Sequence, residues 1–293
     1  MRVSVIIPTY NRRKDLAELF ESLLVQTYKP VEVIIVDDTP NDEIKMLCEE
    51  YKPRFKESNI NLIYIRNHKK KSLTVARNIG IENACGDILL FLDNDVILFN
   101  DYIEKLIEIF KEKKQALCVQ GYIVNISIRK DKLSFLRDLF NRVFHSYYRY
   151  PEDSCKLFEY PSSLSKVIEC EWLSGANFAC KREVFNELKF DENLEGYSFM
   201  EDVLFSHTLY KKYPGTLFIT PYAKCIHKSS PKNYTDKNAL EKLKLKQRKY
   251  VLRKLFGFKG ILFYYWQNIG IMLLNFINSI KKLGFKKVKK FLI

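Results

Sequence analysis

The sequence predicts an α/β fold in which a doubly wound, mostly parallel sheet is flanked by helices and followed by a basic, apolar helical tail. Two observations within residues 1–124 support this prediction. Short continuous runs of aliphatic residues, typical of strands that are buried on both faces, recur along this stretch. Segments with apolar residues at helical spacing separate these runs. Such an alternation is typical of parallel βαβ units.

The predicted elements follow one another in the order that such units require. Strands are predicted at 3–7, 32–36, 62–65, 87–92 and 117–124. Asn11 can cap the first helix, and further helices are predicted at 44–51, 73–84 and 101–113. The stretch 133–150 has apolar residues on one helical face. It fits a helix packed on the sheet, a lid or a lipid-facing acceptor element.

Two acids, Asp93 and Asp95, directly follow the strand at 87–92. Ligands of open α/β sheets bind beyond the carboxyl ends of the strands. Unpaired carboxylates would repel each other there, and a divalent cation bridged to a phosphate relieves this repulsion because hard cations favour oxygen ligands. The alternative is a solvated turn. The chain contains neither glycine-rich nucleotide-binding motif, so a metal would have to neutralise the phosphates of a nucleotide.

A second group of polar residues lies between 171 and 230. The small residues at 174–177 allow a ligand to approach the backbone closely. Glu201 and Asp202 precede an amphipathic segment, where the helix dipole also favours acids, so a purely structural role is the alternative. His227 follows a short predicted strand near Ile219, and a lone histidine is usually structural.

The positive charge of the chain is concentrated in its last quarter. The net charge is +14, and residues 224–293 contain 18 Lys and Arg against two acids. The seven scattered cysteines include no Cys-x-x-Cys pair, which predicts reduced, mostly buried thiols of a cytoplasmic protein. The apolar run at 3–8 is too short for the hydrophobic region of a secretory signal.

Residues 231–293 are predicted to form a basic, amphipathic helical tail. The apolar run 260–280 nearly reaches the roughly 20 residues of a membrane span, but Gln267 and Asn268 interrupt it and lysines follow it. These features favour a helix in the interface of an anionic membrane over a true span or a core helix. The aromatic residues at 263–266 lie among aliphatic ones rather than between cations, so we expect no nucleic acid partner.

Taken together, these motifs resemble those of the family 2 glycosyltransferases of the GT-A fold. Each motif is weak alone, but their joint order over about residues 3–230 is specific. The matching segments are Val3-Ser4-Val5-Ile6-Ile7-Pro8-Thr9-Tyr10-Asn11-Arg12, Val36-Asp37-Asp38, Ala76-Arg77-Asn78-Ile79-Gly80, Asp93-Asn94-Asp95, Gly175-Ala176-Asn177, Phe190-Asp191-Glu192, Glu201-Asp202 and His227. The chain departs from the family pattern in four places, two of which are Leu188-Lys189, where Gly is common before Phe-Asp-Glu, and the region of His207, where an Arg is usual. Thr39-Pro40 replaces a usual Gly-Ser, and Gln247-Arg248-Lys249-Tyr250 replaces Gln-x-x-Arg-Trp, which argues against a processive polymer synthase.

The resemblance implies a division of the chain and a set of site residues. Residues 1–230 would form the GT-A domain, with a nucleotide-sugar-binding half (1–124) and an acceptor and catalytic half (125–230), before the tail (231–293). The residues implied to bind the donor nucleotide are Pro8, Thr9, Tyr10, Asn11, Asp37, Asp38, Arg77, Asp93 and Asn94. Those implied to bind the acceptor or its sugar are Gly175, Ala176 and Asn177. The implied ligands of Mg²⁺ or Mn²⁺ are Asp93, Asp95 and His227.

The resemblance also implies an activity, the inverting transfer of a single sugar, of the hexosyl type. The donor would be a nucleotide-diphosphate sugar, and the acceptor a glycan or lipid-linked precursor at the inner face of the cell membrane. Inversion requires a base opposite the leaving group, and Asp202 would be this base, with Glu201 orienting it. Two alternatives remain open. A sugar-nucleotide nucleotidyltransferase usually has a Gly-rich opening loop, which is absent here, and a non-catalytic nucleotide-sugar-binding protein would not need Asp202.

Overall fold

A computed structural model describes residues 1–125, 140, 143–144, 148–150, 155–230 and 236–290, without the side chains of 148–150, 237 and 275–290. The strands are β1 (Val3–Thr9), β2 (Glu32–Asp37), β3 (Asn61–Arg66), β4 (Ile88–Leu92), β5 (Val96–Leu98), β6 (Cys118–Ile123), β7 (Tyr148–Tyr150), β8 (Glu159–Pro161), β9 (Ile168–Glu169), β10 (Asn177–Lys181) and β11 (Leu217–His227). The helices are α1 (Arg13–Leu24), α2 (Glu43–Glu57), α3 (Leu73–Asn83), α4 (Tyr102–Glu112), α5 (Glu201–Lys212), α6 (Lys237–Phe256) and α7 (Phe258–Lys290).

Nine of the described strands build one large sheet in the order β3-β2-β1-β4-β10-β6-β11-β5, with β9 paired to β11, and β7 pairs with β8 in a separate two-stranded sheet. The first four strands are parallel, as are β6 and β11. β10 runs antiparallel to both of its neighbours, β4 and β6. The predicted α/β class, with a largely parallel sheet flanked by helices, is therefore confirmed. The antiparallel strands follow no regular helical segment, which is why the alternation along the sequence did not indicate them.

Alternate residues of each strand point to opposite faces of the sheet. Helices cover both faces, so both sets of residues are buried. Val5 and Ile7 of β1 pack with α1, α2 and α4 on one face. Ile6 of the same strand packs with α3, α5 and α6 on the other. This burial explains the continuous apolar runs of the sequence.

Helix α2 is longer than the sequence predicted. It continues past the expected end at 51 to Glu57 and contains Pro53 in its interior. Phe55 in this added turn is fully buried. Burial of its ring therefore offsets the local cost of a proline within a helix.

Two other sequence predictions need correction. Most of the helix predicted at 133–150 lies outside the described residues, but its last three residues form strand β7 rather than helix. Cys118 and Cys180 face each other in register across β6 and β10 and form a disulfide. The expectation of reduced thiols is wrong for this pair, since the spacing along the sequence did not show that the two strands are neighbours.

Helix α6 packs against α5 on one side of the sheet rather than extending away from it. Val251 and Leu252 of α6 are fully buried against the face that carries α5. The side chain of Gln247 donates to the carbonyl oxygen of Glu195 (2.7 Å) and accepts from the backbone N–H of Phe199 (2.8 Å). These contacts fix α6 beside the segment that leads into α5.

Helix α7 has two different faces. Seven large apolar residues on one side are 43% exposed or more, and we call them the α7 stripe: Phe258, Leu262, Tyr265, Trp266, Ile269, Met272 and Leu273. Their spacing of three or four residues places them along one face of the helix. Gln267 on the opposite face is buried. Among the described residues, no helix has the combination of length and apolar character that crossing a bilayer requires.

The packing of α1 on α2 gives a test of the core. Phe20 is fully buried, and its ring centroid lies 5.2 Å from those of both Tyr51 and Phe55. Replacing Phe20 by Ala should lower the free energy of unfolding by about 3–5 kcal/mol, because a cavity remains. Urea denaturation measures this loss. The control Met46→Ala on α2, at a side chain that is 57% exposed, should change it by less than about 0.5 kcal/mol. Equal effects of the two substitutions would contradict this packing.

Candidate functional site

The polar motifs meet at one edge of the sheet. The parallel strands β1, β2 and β4 all end there, so the residues after them lie close together. Because β10 is antiparallel to β4, the segment 174–176 that precedes it reaches the same edge. The backbone N–H of Asp93 donates to the carbonyl oxygen of Ala176 (2.9 Å). The two groups of polar residues noted in the sequence therefore form a single site.

Asp93, Asp95 and His227 lie together at this edge. Each offers one potential ligand atom, and these atoms all lie within 4.8 Å of one another. The antiparallel pairing of β11 with β5 sets His227 opposite Val96, next to Asp95. Two carboxylates and an imidazole suit a small divalent cation. In octahedral Mg²⁺ sites with bonds of about 2.1 Å, opposite ligand atoms lie roughly 4.2 Å apart, so the observed cluster fits such an ion after a small adjustment.

The carboxylate of Asp95 has several partners. It contacts Nε2 of His227 at 3.1 Å, the backbone N–H of Ser230 at 2.9 Å and the guanidinium of Arg12 at 3.4 Å. Burial alone would raise the pKa of Asp95, but these contacts, His227 first, lower it below the ordinary value. The pKa of Asp93 is raised by burial, and Arg77 opposes this effect.

Arg77 connects the two halves of the site. It is 1% exposed and forms a hydrogen-bonded ion pair with Glu201, which begins α5. It also donates to the carbonyl oxygen of Gly175 (2.8 Å) and lies 3.6 Å from Asp93. Burial raises the pKa of Glu201, and Arg77 opposes this effect. The structure places Arg77 inside the protein between the carboxylates, and its contact with the nucleotide stays a prediction.

Asp202 lies at the start of α5 and faces a cavity. One of its oxygens accepts from the backbone N–H of Gly175 (2.8 Å), and burial raises the pKa of its carboxyl group. A Cβ atom at Gly175 would lie 2.7 Å from the carboxylate of Glu201 and 3.2 Å from Asp202. Only glycine therefore lets this loop approach both acids so closely.

Two cavities open on opposite sides of the cluster formed by Asp93, Asp95 and His227. The β1 cavity, of about 430 Å³, extends over the end of β1 and is lined by Tyr10, Asp38 and Asp95 among others. The α5 cavity, of about 500 Å³, extends over the start of α5 and is lined by Asp202 and Glu201 among others. Four residues line both cavities: Leu73, Asp93, Tyr197 and His227. Molecules bound in the two cavities would meet at this shared wall.

Most of the residues predicted to bind the donor line the β1 cavity: Pro8, Thr9, Tyr10, Asp38, Asp93 and Asn94. Asn11 and Asp37 are not among its lining residues. Asp37 is fully buried, and its carboxylate accepts from the backbone N–H of Thr39 and the hydroxyl of Tyr64, both at 2.8 Å. Arg77 lines the α5 cavity instead.

The predicted acceptor motif is divided between the cavity wall and the core. Gly175 and Ala176 line the α5 cavity. Asn177 is fully buried, and its side chain donates to the carbonyl oxygen of Gly121 (3.0 Å). It therefore supports the wall from behind rather than facing the cavity.

Three cations of the site were not predicted from the sequence. Lys71 places its Nζ 3.1 Å from the ring centroid of Tyr10 in the β1 cavity. Arg12 contacts Asp95, and Arg248 of α6 lines the α5 cavity. Arg12 ends the recognised opening motif, which was a usable signal. Lys71 and Arg248 each lie in a stretch with several Lys or Arg residues. The sequence does not show which of these cations faces the site.

Comparisons with solved structures agree with this architecture. "Crystal structure of S. aureus TarS" aligns with a TM-score of 0.55 at 19% identity, over 88% of this chain and 44% of that one. "Crystal structure of GalNAc-T7 with UDP, GalNAc and Mn2+" aligns with a TM-score of 0.56 at 17% identity, over 78% and 44%. At these identities the likeness shows the fold alone.

Sequence comparisons identify the family. "Glycosyltransferase GlyA" of Streptococcus pneumoniae is 28% identical over 190 residues, which are 65% of this chain and 26% of the relative. "Glucosyl-dolichyl phosphate glucuronosyltransferase" of Haloferax volcanii is 29% identical over 127 residues, 42% of this chain and 39% of the relative. The chain thus spans well under half of either relative. The family described as "Glycosyl transferase family 2" matches residues 4–188, more than half of the chain. The chain therefore belongs to glycosyl transferase family 2.

Proposed function

We propose that the chain transfers a single sugar from a nucleotide-diphosphate sugar to an acceptor hydroxyl, with inversion at the anomeric carbon. The observation that carries this proposal is the pair of cavities that meet at Asp93 and His227, with Asp202 in the α5 cavity only. A donor in one cavity and an acceptor in the other would bring the reacting atoms together at the shared wall. The relatives named as glycosyltransferases support this reaction class.

The donor would occupy the β1 cavity. Tyr10 and Asp38 would face its nucleoside, and Lys71 supplies a cation beside Tyr10. The crystal structure of S. aureus TarS 1-349 in complex with UDP-GlcNAc supports a nucleotide sugar as the donor class. When bound by Asp93, Asp95 and His227, Mg²⁺ or Mn²⁺ would act as a Lewis acid toward the diphosphate leaving group.

Asp202 would act as the general base. The acceptor hydroxyl must lose a proton on the side of the sugar opposite the leaving group, and Asp202 lies in the α5 cavity, across the shared wall from the β1 cavity. The burial that raises its pKa also makes its carboxylate a stronger base. The hydrogen bond from the backbone N–H of Gly175 fixes its orientation. Glu201 is bound to Arg77 and would position the start of α5.

The α7 stripe would place the protein on an anionic membrane surface. Contiguous exposed apolar surface is typical of protein or membrane contacts. Two exposed cations accompany the stripe: Lys249, whose Nζ lies 3.4 Å from the hydroxyl of Tyr265, and Lys259. Apolar side chains bordered by lysines suit insertion between anionic headgroups. A lipid-linked acceptor would then be available beside the α5 cavity, because Gln267 and Ile271 of α7 line it.

The proposed metal site can be tested by its affinity for Mn²⁺. Replacing Asp95 by Ala should weaken Mn²⁺ binding by at least about tenfold, because a ligand is lost and even supporting residues contribute 10–100-fold. Isothermal titration calorimetry measures the affinity, and excess chelator should abolish transfer. Asp87→Ala is a matched control, since this half-exposed acid lies at the opposite end of β4. Full transfer activity in excess chelator would contradict the metal requirement.

The proposed base can be tested by the substitution Asp202→Asn. The amide keeps the shape of the side chain and can still accept from Gly175, but it cannot take a proton. Turnover should fall by about 10²–10⁴, while donor affinity stays close to that of the wild type. Steady-state kinetics and donor titration measure the two quantities.

Asp191→Asn is the control for this test. Asp191 binds Tyr250 and Lys254 of α6 and does not line either cavity, so its turnover should stay within a few-fold of the wild type. An Asp202→Asn enzyme with comparable turnover would remove Asp202 from the mechanism.

Membrane docking can be tested on the α7 stripe. Leu262, Ile269 and Met272 are 57%, 47% and 71% exposed, so polar substitution there leaves the core intact. Replacing all three by Gln should reduce binding to anionic lipid vesicles at least tenfold, because each buried apolar side chain contributes about 1.5–3 kcal/mol. Cosedimentation measures the binding. The control replaces Val25 and Met46, which are also exposed but distant, by Gln. Unchanged vesicle binding by the triple variant would refute docking through the stripe.

A further inference from the structure

Arg248 of α6 brings a positive charge to the α5 cavity that the proposed catalytic residues do not use. Its guanidinium lies 5.6 Å from the ring centroid of Phe199, and both residues line the cavity. Among the described residues, no carboxylate lies within 4.0 Å of it, in contrast to Arg77 in the same cavity. A partly buried cation without a close counterion is costly. Such a charge is explained if a ligand supplies the anion.

The rest of the cavity wall indicates where this anion would lie. Phe158, Trp172 and Ile271 provide apolar surface, and Asp202 provides the carboxylate at the start of α5. Sugars pack their apolar faces on aromatic rings, so one wall suits a sugar ring. The acids of the cavity would repel an anionic ligand. Its charge is therefore tolerated only where a cation faces it, and Arg248 is the cation on the α6 side.

Helix α7 connects this cavity with the outer surface of the protein. Gln267 and Ile271 line the cavity, whereas the α7 stripe lies on the opposite face of the same helix. A ligand between Arg248 and α7 would thus have one end close to the surface that carries the stripe. Lipid-linked sugars are joined to their lipid through a phosphate, which is the anionic group expected at such a position.

We infer that Arg248 binds a phosphate group of the acceptor, while the acceptor hydroxyl faces Asp202. This inference rests on the proposed function. The planar guanidinium can donate two parallel hydrogen bonds to phosphate oxygens. Arg248 would therefore determine which acceptors are used. A lipid phosphate and the phosphate of a water-soluble sugar share this chemistry, and the experiment separates them.

The test measures binding of simple probes to the full chain in the presence of chelator, which removes metal-mediated binding at the β1 cavity. The probes are octyl phosphate below its micelle concentration, inorganic phosphate and the neutral octyl glucoside. Arg248→Gln should weaken octyl phosphate binding at least tenfold, as expected for a charge-assisted hydrogen bond, and leave octyl glucoside binding unchanged. Arg248→Lys keeps the charge but not the planar guanidinium, and it should weaken octyl phosphate binding less than Arg248→Gln does.

Arg253→Gln is the matched control, since Arg253 is an exposed arginine on the same helix. It should bind all three probes like the wild type. If octyl phosphate binds at least tenfold more tightly than inorganic phosphate, and Arg248→Gln weakens the binding of both, the phosphate bound by Arg248 is that of a lipid. If the two phosphate probes bind equally and the binding of both depends on Arg248, the phosphate bound by Arg248 is that of a water-soluble sugar.

Equal affinity of the wild type and Arg248→Gln for octyl phosphate would overturn the inference. This outcome is independent of the proposed function, because the binding experiment contains no donor and requires no transfer. Conversely, a chain that transfers no sugar but binds octyl phosphate through Arg248 would overturn the proposed function and leave the phosphate site in place.

Discussion

The buried ion pair between Arg77 and Glu201 is the interaction on which the site depends. Arg77 projects from α3, and Glu201 begins α5, so the pair joins elements that are 124 residues apart along the chain. The same guanidinium holds the carbonyl oxygen of Gly175 and lies beside Asp93. Either charge would be strongly destabilising in this interior without the other. The positions of α3, α5, the 174–176 loop and the end of β4 are therefore mutually dependent.

The antiparallel direction of β10 brings the polar segment before it into the site. A further parallel strand beside β4 would begin at the opposite edge of the sheet, and the residues before it would lie far from Asp93. Because β10 runs in the other direction, Asn177 pairs with Leu92, and Gly175 and Ala176 reach the end of β4. One strand reversal thus combines the polar ends of the parallel strands with the start of α5.

The sequence predicted the elements and motifs better than the contacts between them. Residues 3–7 and 88–92 were recognisable because strands buried on both faces need continuous apolar runs. Asp93, Asp95 and His227 were predicted to act together, and they do lie together. The apolar pattern does not encode the direction of a strand, so β10 was not foreseen.

Side-chain partners supplied by distant segments set the direction of several site residues. Asp37 is predicted to face a ligand, and Tyr64 on the neighbouring strand binds its carboxylate. Arg77 is predicted to contact the nucleotide, and Glu201 holds it in the interior. Arg248 was noticed only as part of an incomplete motif, since its place in the cavity depends on how α6 packs. In each case the residue type was informative, whereas the direction of the side chain depended on tertiary contacts.

Helix α7 couples access to the α5 cavity to the environment of the protein. Seven large apolar side chains on its outer face remain in contact with water in the isolated chain, and covering each would contribute at most about 1.5–3 kcal/mol, the value for a fully exposed side chain. Gln267 and Ile271 on its inner face form part of the cavity wall. A surface that covers the stripe would therefore hold the helix, and with it one wall of the cavity, in a fixed position. If that surface is a membrane, as we propose, the proposed lipid-linked acceptor would enter the cavity beside it.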